Sequence, residues 1–449
     1  MTARASASRS RAAPAEPAGL RARRVALDAT LTVLQHRRPL DETFDGHPGL
    51  APLPERDRAF AYTLARTVFR RLGQLDGLID ACLATPLPER LTTVRGLLRL
   101  GAAQLVFLRT PPHAAVHTTV TLARATGQGR HGALINAVLR RLADEGNGMP
   151  ALQEGSERLN VPAWLWESWL GSWGEAAAQA IARAHTAEPP LDLTLKPDAD
   201  GDRWAAMLGA TVLPTGSLRL AHAGPVTALP GFDEGAWWVQ DAAAALPVRL
   251  LGDVRGRRVL DLCAAPGGKT AQLAAAGARV TAVDRSAKRL QVVGENLRRL
   301  QLTAETVTAD AAQWRPEAPV DRILLDVPCS ATGTIRRHPD VAWLKSADEV
   351  RTLSAVQARL LTAAASMLSP GGVMVYCACS LQPEEGAILV DSLPSRGLPL
   401  QRVPITADEI GGCGELLTSA GDLRTLPCHL AELGGLDGFY AARLRHRGT

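Results

Sequence analysis

The chain has 449 residues and a formal net charge of +5, with 21% charged and 46% hydrophobic residues. This composition excludes an intrinsically disordered protein, and the length suggests roughly two to four domains. Seven cysteines in so long a chain exclude a small disulfide scaffold and favour a reduced, cytoplasmic setting, and no apolar run reaches the roughly 18 residues of a membrane span.

Residues 1–23 are predicted to form a disordered basic tail. Residues 1–24 contain six arginines and one glutamate, so this stretch carries the whole net charge and the rest of the chain balances at zero. The stretch is rich in Arg and Ser, as organelle transit peptides are, but it lacks the apolar segment of a secretory signal. A short solvated tail is the simpler interpretation, and the net charge does not indicate what the folded domains bind.

Residues 24–146 are predicted to form an all-helical domain. Apolar residues recur at intervals of three and four in VALDATLTVL and RGLLRLGAAQLVFL, a spacing typical of amphipathic helices. Breaks between helices are expected at HRRPL, ATPLPER, RTPPH and TGQGRHG. The polar segment GNGMPALQEGSERLNVP that follows is a candidate linker.

Residues 160–234 are predicted to form a linking helix and a small α+β module. Trp166, Trp169 and Trp173 share one face of the helix in AWLWESWLGSW, which we interpret as a docking face rather than a platform for stacked bases. Short strand-like pieces follow, divided by Pro, Gly and Asp: LDLTLK, TVLP, SLRLAH and VTAL.

Strand-like and helix-like segments alternate over residues 235–449, which predicts a doubly wound α/β domain. In VLDLCAAPGGKT a buried strand leads into a loop of small residues and then a helix, so a ligand can lie against the loop backbone. The GxGxxG of dinucleotide folds is absent. Asp284 and Asp310 end the next two strands, where each alone would suit a turn or helix cap. Together the three strand ends outline a nucleoside pocket that S-adenosylmethionine fits best.

The following two strands end in DVPCSATGT and VYCACSLQPEE, on the same predicted edge of the sheet. Cys329 and Cys379 should therefore meet near the cofactor. Carbon 5 of a pyrimidine is a poor nucleophile, but it becomes nucleophilic when a thiolate adds to carbon 6, and a second cysteine can assist the later elimination. Asp326 is placed to bond the N3 and amino edge of cytosine. No CxxC pair occurs, which argues against a zinc or redox site.

Four ordered motifs, DLCAAPGGKT, DVPCSATG, RRHPDVAW and YCACSLQPEEG, together resemble the RNA cytosine-5 methyltransferases of the NOL1/NOP2/Sun family. The helical N-terminal region resembles the NusB-like RNA-binding domain, and this pairing is similar to the bacterial RsmB/Sun group. The resemblance implies an all-α NusB-like domain, a small α+β linking module and an α/β class I (Rossmann-like) methyltransferase domain. It also implies S-adenosylmethionine as cofactor and small-subunit (16S) ribosomal RNA as substrate.

The resemblance also implies a role for individual residues. Cys379 corresponds to the nucleophile that bonds cytosine carbon 6, and Cys329 to the cysteine needed for product release. Cys377 lies two residues from Cys379 and shares its strand face, but the motif alignment favours Cys379. Ala378 stands where the family commonly has Thr, and Ala331 where Gly is usual. The cofactor-binding set, of which Asp326 also contacts the base, is Cys263, Ala264, Ala265, Pro266, Gly267, Gly268, Lys269, Asp284, Asp310 and Asp326.

Arg336, Arg337 and His338 follow the Cys329 loop and are predicted to contact RNA phosphates, although charge runs are more often simply solvated. Two other functions stay open, a transfer RNA cytosine-5 methyltransferase and an inactive RNA-binding assembly factor. The absence of GxGxxG argues against a dinucleotide-dependent dehydrogenase. We expect a cytoplasmic monomer that binds RNA and neither membrane nor metal.

Overall fold

A computed structural model describes residues 18–448 of the chain. The N-terminal unit ends at Leu159 and is helical throughout its described part. The buried side chains of the first helix include a series at three- and four-residue spacing, namely Ala22, Val25, Ala29 and Val33. The all-helical prediction is confirmed. The helices are α1 (Ala18–His36), α2 (Leu40–Asp45), α3 (Glu55–Arg70), α4 (Leu72–Cys82), α5 (Thr92–Val106), α6 (Pro112–Ala125) and α7 (Gly132–Glu145).

The first helix begins at Ala18, so residues 18–23 belong to it and the predicted tail boundary at residue 23 is wrong. Arg23 shows the physical reason. Its guanidinium donates a hydrogen bond to Gln104 Oε1 on α5 and lies 4.8 Å from the ring centroid of Phe60 on α3. Contacts with distant helices thus order a stretch that looked like a basic tail. Residues 1–17 of that predicted tail lie outside the described residues.

The C-terminal unit starts at Asn160 and opens with helix α8 (Ala163–Thr186), whose helical conformation is interrupted at Gly174 with φ +77°. Trp169 is fully buried. The tryptophan face packs into one hydrophobic cluster that includes Trp166, Trp169, Trp173, Ile335, Leu381 and Leu426. The structure therefore confirms that this face docks on protein.

The α+β module follows α8 as an antiparallel sheet in the strand order β2-β3-β1-β4. Leu193 on the first strand lies opposite Val239 on the last, so the module extends to residue 239 and past the predicted boundary at 234. The alternating pattern of a short strand does not say which of two neighbouring sheets it joins. The elements are β1 (Leu191–Leu195), α9 (Gly201–Leu208), β2 (Thr211–Val212), β3 (Leu218–Leu220) and β4 (Trp237–Val239).

The α/β domain contains a twisted sheet in the order β10-β12-β9-β8-β5-β6-β7, with β11 paired to β12. Strands β5 to β9 are parallel, and β12 is antiparallel to β9. The elements are α10 (Ala242–Arg249), β5 (Arg258–Leu262), α11 (Gly268–Ala275), β6 (Arg279–Asp284), α12 (Ala287–Arg299), β7 (Glu305–Thr308), β8 (Val320–Asp326), α13 (Val341–Leu344), α14 (Ala347–Met367), β9 (Leu368–Ala378), α15 (Ala387–Asp391), β10 (Leu400–Arg402), β11 (Leu423–Thr425) and β12 (Phe439–His446).

This topology positions the site. From β5 the chain adds β6 and β7 on one side and then β8 and β9 on the other. The loops that leave β5 and β8 diverge at this switch point and open a crevice at the carboxyl edge of the sheet. The predicted doubly wound fold is therefore confirmed. None of the described helices is long and apolar enough to span a membrane.

Candidate functional site

The loop between β5 and α11 lies at the switch point and has an unusual backbone. Cys263 adopts φ +64° and Gly267 adopts φ +100°. A Cβ atom at Gly267 would lie 3.0 Å from Val293 Cγ1, so the position requires both the conformational freedom and the small size of glycine. The other predicted loop residues shape the turn between these two points and the start of α11: Ala264, Ala265, Pro266 and Gly268.

Asp284 ends β6 and binds the loop of the neighbouring strand. Its Oδ2 accepts a hydrogen bond from the Ala265 amide at 3.2 Å, and its Oδ1 accepts one from the Ser286 amide at 2.9 Å. The Arg289 guanidinium lies 3.7 Å from Asp284 Oδ2 and donates to the Ala265 carbonyl. These bonds fix the ends of β5 and β6 relative to each other.

A cleft of about 200 Å³ lies at the carboxyl ends of β5, β6 and β7. Three residues of the predicted cofactor set line it: Cys263, Asp284 and Asp310. Burial raises the pKa of Cys263 to about 12, so its thiol is neutral. Asp310 is exposed, and the Ala312 amide donates to its Oδ1 at 2.9 Å. Pro328 also lines the cleft and joins it to the Cys329 loop.

Cys329 and Cys379 lie side by side, with their Sγ atoms 3.4 Å apart. They follow β8 and β9, which are paired in the sheet with Asp326 opposite Cys377. Both side chains are partly buried. The hydrogen bond to Cys379, together with burial, raises the pKa of Cys329 well above its ordinary value. Cys329 therefore keeps its proton and can donate it in a hydrogen bond to the sulphur of Cys379.

Cys377 differs from this pair, although it shares the strand. It is fully buried, and its Sγ lies 3.5 Å from Asp326 Oδ1. Burial, followed by the nearby Asp326 charge, raises the pKa of Cys377 well above its ordinary value. A buried neutral thiol is a poor nucleophile, so the geometry favours Cys379 over Cys377.

Lys269 and Asp326 form an ion pair beside the cysteines, with Nζ 2.8 Å from Oδ2. The ammonium also lies 4.8 Å from the ring centroid of Phe439. Burial alone would lower the pKa of Lys269, but the attraction of Asp326 outweighs it and raises the pKa above its ordinary value. Asp326 was predicted to contact both cofactor and base. Its carboxylate lies between Lys269 and Cys377 rather than along the lining of the cleft.

Sequence reasoning assigned no role to Glu385, which the structure places in the centre of the site. Its carboxylate accepts hydrogen bonds from the Ser330 amide at 2.8 Å, from Gln357 Nε2 at 3.0 Å, and from the hydroxyls of Ser330 and Ser380. A signal was present in the sequence, because each of the two motif cysteines is followed directly by a serine.

Arg336 and Arg337 are not placed to contact RNA, so this part of the prediction is wrong. Arg336 is 2% exposed, and its Nε lies 2.9 Å from Asp437 Oδ1. Arg337 is largely buried and donates to both Asp437 and Asp241. Burial would raise the pKa of Asp241, but Arg337 and Arg336 hold it well below its ordinary value. His338 is exposed, and its RNA contact stays a prediction.

The same arginines join the α+β module to the Cys329 loop. Within the module, Arg219 makes two hydrogen bonds of 2.7 Å to the carboxylate of Asp192. Arg337 Nη2 lies 3.9 Å from that carboxylate. The resulting buried network holds three arginines and three aspartates, which are Asp192, Arg219, Asp241, Arg336, Arg337 and Asp437. A charge run that resembled an RNA-binding surface is therefore a structural core.

Comparison with known proteins assigns the chain to a family. The NusB family matches residues 20–144, and the family described as 16S rRNA methyltransferase RsmB/F matches residues 248–445. The ribosomal RNA small subunit methyltransferase B of Cronobacter sakazakii is 37% identical over 406 residues, covering 87% of this chain and 91% of that protein. The protein of the same name from Klebsiella pneumoniae subsp. pneumoniae is 38% identical over 347 residues, covering 74% and 80%.

Solved structures share the fold. The crystal structure of PH0851 superposes with a TM-score of 0.73 and 21% identity, covering 96% of this chain and 99% of that one. NSun6 from Pyrococcus horikoshii, solved with SFG, has a TM-score of 0.55 and 18% identity, covering 64% and 99%. By its family matches and by its identity to relatives that it covers over most of their length, the chain belongs to the 16S rRNA methyltransferase RsmB/F family.

Proposed function

We propose that the protein is an RNA (cytosine-5)-methyltransferase that modifies 16S ribosomal RNA through a covalent bond between Cys379 and carbon 6 of the target cytosine. Family membership supports the RNA substrate. The observation that carries the cytosine-5 chemistry is the pair of thiols 3.4 Å apart, beside a cleft lined by Cys263, Asp284 and Asp310. One thiol suffices for attack on carbon 6, and the second serves the elimination that carbon-5 substitution requires.

The cofactor is S-adenosylmethionine, which supplies the methyl group when bound. The residues at the cleft fit it. Asp284 and Asp310 present carboxylates at the ends of successive strands, the positions that bond ribose and adenine in doubly wound folds. Gly267 allows the left-handed turn at the start of α11, and its lack of a side chain lets the loop pack against Val293 beside the cleft. Cys263 adds a neutral thiol to the lining.

The chain's own residues prepare the attack. Cys379 is partly exposed beside Cys329, whose S–H can donate a hydrogen bond to the Cys379 sulphur. The thiolate adds to carbon 6 of the cytosine, and the electron pair of the 5,6 double bond moves toward carbon 5. Asp326, oriented by Lys269, can accept a hydrogen bond from the exocyclic amino group of the base.

Release requires a base, and the thiol pair supplies one. The hydrogen bond to Cys379, burial and the negative charge of Cys379 all raise the pKa of Cys329. Once Cys379 is bonded to carbon, its charge and its hydrogen bond no longer raise that pKa, which favours release of the Cys329 proton to water. Its thiolate then takes the proton from carbon 5, the electrons of that C–H bond restore the 5,6 double bond, and the bond from carbon 6 to sulphur breaks. Cys379 leaves as a thiolate, and the proton from carbon 5 restores the Cys329 thiol.

The test compares two cysteine variants on small-subunit rRNA. Cys329→Ala is expected to accumulate a protein–RNA adduct that survives a denaturing gel, because attack proceeds and release does not. Cys379→Ala is expected to form no adduct and no product. Bisulfite sequencing of total RNA, with and without the gene, locates the methylcytosine. An adduct in the Cys379→Ala variant would refute the assignment of Cys379 as the nucleophile. If deleting the gene removes a methylcytosine from transfer RNA alone, the substrate is transfer RNA and not 16S ribosomal RNA.

A further inference from the structure

The carboxylate of Glu385 is fully buried and binds both cysteine loops at once. Oε1 accepts hydrogen bonds from the Ser330 amide and from Gln357 Nε2. Oε2 accepts from the hydroxyls of Ser330 and Ser380. Each serine directly follows one cysteine of the pair. One carboxylate is therefore hydrogen-bonded to the residue that follows each of the two cysteines.

The two cysteines depend on this carboxylate to different degrees. Cys379 comes directly after β9, whose last residue, Ala378, pairs with Tyr440 of β12. On the other side of Cys379, the Ser380 carbonyl accepts a hydrogen bond of 2.6 Å from Arg424. Cys329 lies three residues beyond the end of β8 in an irregular loop. Backbone hydrogen bonds hold that loop at its two ends, from Val327 to Cys377 at 3.0 Å and from Gly333 to Cys379 at 3.1 Å.

Between those two ends, the hydrogen bonds of Ser330 to Glu385 position the Cys329 side of the pair. Ser330 contributes two of the four bonds that the carboxylate accepts, and Ser380 contributes one. Gln357 contributes the fourth and also donates to the Pro328 carbonyl at 3.0 Å, again on the Cys329 side. Three of the four bonds thus orient the loop of Cys329, while strand pairing and Arg424 orient Cys379.

We propose that Glu385 is a positioning residue that sets the place of the Cys329 thiol beside Cys379, so that losing it slows product release more than attack. The inference rests on the proposed function, in which Cys379 attacks carbon 6 and Cys329 takes the proton from carbon 5. Attack uses Cys379, which the strand holds without Glu385. Proton removal uses Cys329, whose distance to carbon 5 the buried carboxylate controls.

The experiment measures two rates on small-subunit rRNA, single-turnover adduct formation and multiple-turnover methylation. Glu385→Ala is expected to lower turnover at least about tenfold while adduct formation changes less than about threefold, because a displacement of roughly 1 Å at one reacting group can cost about a hundredfold. The trapped adduct should increase, as in Cys329→Ala. Glu385→Gln keeps an acceptor for the Ser330 amide and can donate to both serine hydroxyls, so it should restore release.

Matched variants separate positioning from folding. Glu384→Ala removes the neighbouring carboxylate, which bonds neither serine, and should behave as the wild type. Ser330→Ala leaves Glu385 in place, so it keeps the test valid if Glu385→Ala does not fold. It should accumulate adduct, whereas Ser380→Ala should not. Equal losses of attack and release in Glu385→Ala and Ser330→Ala would overturn the inference. An absence of adduct in Cys329→Ala would instead overturn the proposed function.

Discussion

Arg336 provides a decisive test of what the arginines after the Cys329 loop do. Arg336 is 2% exposed, and its guanidinium lies 2.9 Å from Asp437 and 3.9 Å from Asp241. Replacing it with alanine leaves two buried carboxylates to be neutralised by Arg337 alone. Removal of one partner from a buried ion pair costs about 3–5 kcal/mol. Because Arg337 remains, we expect the lower end of that range, about 3 kcal/mol.

The assay is thermal unfolding of the full chain, followed by the fluorescence of tryptophans in the C-terminal unit. For a unit of this size a loss of 1 kcal/mol lowers the Tm by about 2 °C, so Arg336→Ala should lower it by about 6 °C. The matched control is Arg351→Ala, whose side chain is 70% exposed and whose ion pair with Asp348 contributes about 0–1 kcal/mol.

A role of Arg336 in RNA binding would give a different result in this assay. If Arg336 instead bound an RNA phosphate, its replacement would leave the Tm unchanged and would reduce the slope of log affinity against log salt by about one. If the Arg336→Ala variant has the same Tm as the wild type and a smaller slope of log affinity against log salt, the buried network has no stabilising role.

The site supports three more predictions. Burial raises the pKa of Asp261 to about 7 although Thr270 donates to it, so the folded state keeps a proton that the unfolded state loses near pH 4. The unfolding free energy should therefore fall by about 4 kcal/mol between pH 4 and 7 relative to Asp261→Asn, and parallel pH curves would contradict this. Gly267→Ala should weaken S-adenosylmethionine binding about tenfold by calorimetry, because it strains a left-handed residue by about 1–2 kcal/mol, whereas Gly294→Ala has open space and should bind normally. Cys377→Ala should keep turnover within about threefold of the wild type, and loss of the RNA adduct when Cys377→Ala is added to Cys329→Ala would show that the wrong thiol has been assigned.

The motifs at the carboxyl ends of the strands were predictable because they are local. A small-residue loop after β5, acids after β6 and β7, and cysteines after β8 and β9 must meet once the strands are parallel, since such strands share one carboxyl edge. The structure brings Cys329 and Cys379 to 3.4 Å and lines one cleft with Cys263, Asp284 and Asp310. The tryptophan face of α8 was also visible in the helical spacing.

Features that depend on contacts between distant segments could not be predicted from the sequence. Arg23 in the first turns of α1 bonds Gln104 on α5, and β4 pairs with β1 of the antiparallel sheet. Two of the partners of Arg337, Asp241 and Asp437, lie 96 and 100 residues away in the chain. A run of basic residues has the same sequence on a solvated surface and in a buried ion network. Only the positions of its acidic partners distinguish the two.

The sequence by itself determined the fold class, the helical first domain, the cofactor loop and the two cysteines, because each depends on patterns within a few residues. The tertiary structure alone decided which thiol is buried, that Arg336 and Arg337 join the α+β module to the Cys329 loop, and that Glu385 binds the serines beside both cysteines. Those properties depend on burial and on charges brought together from distant segments, and no short window of sequence contains them.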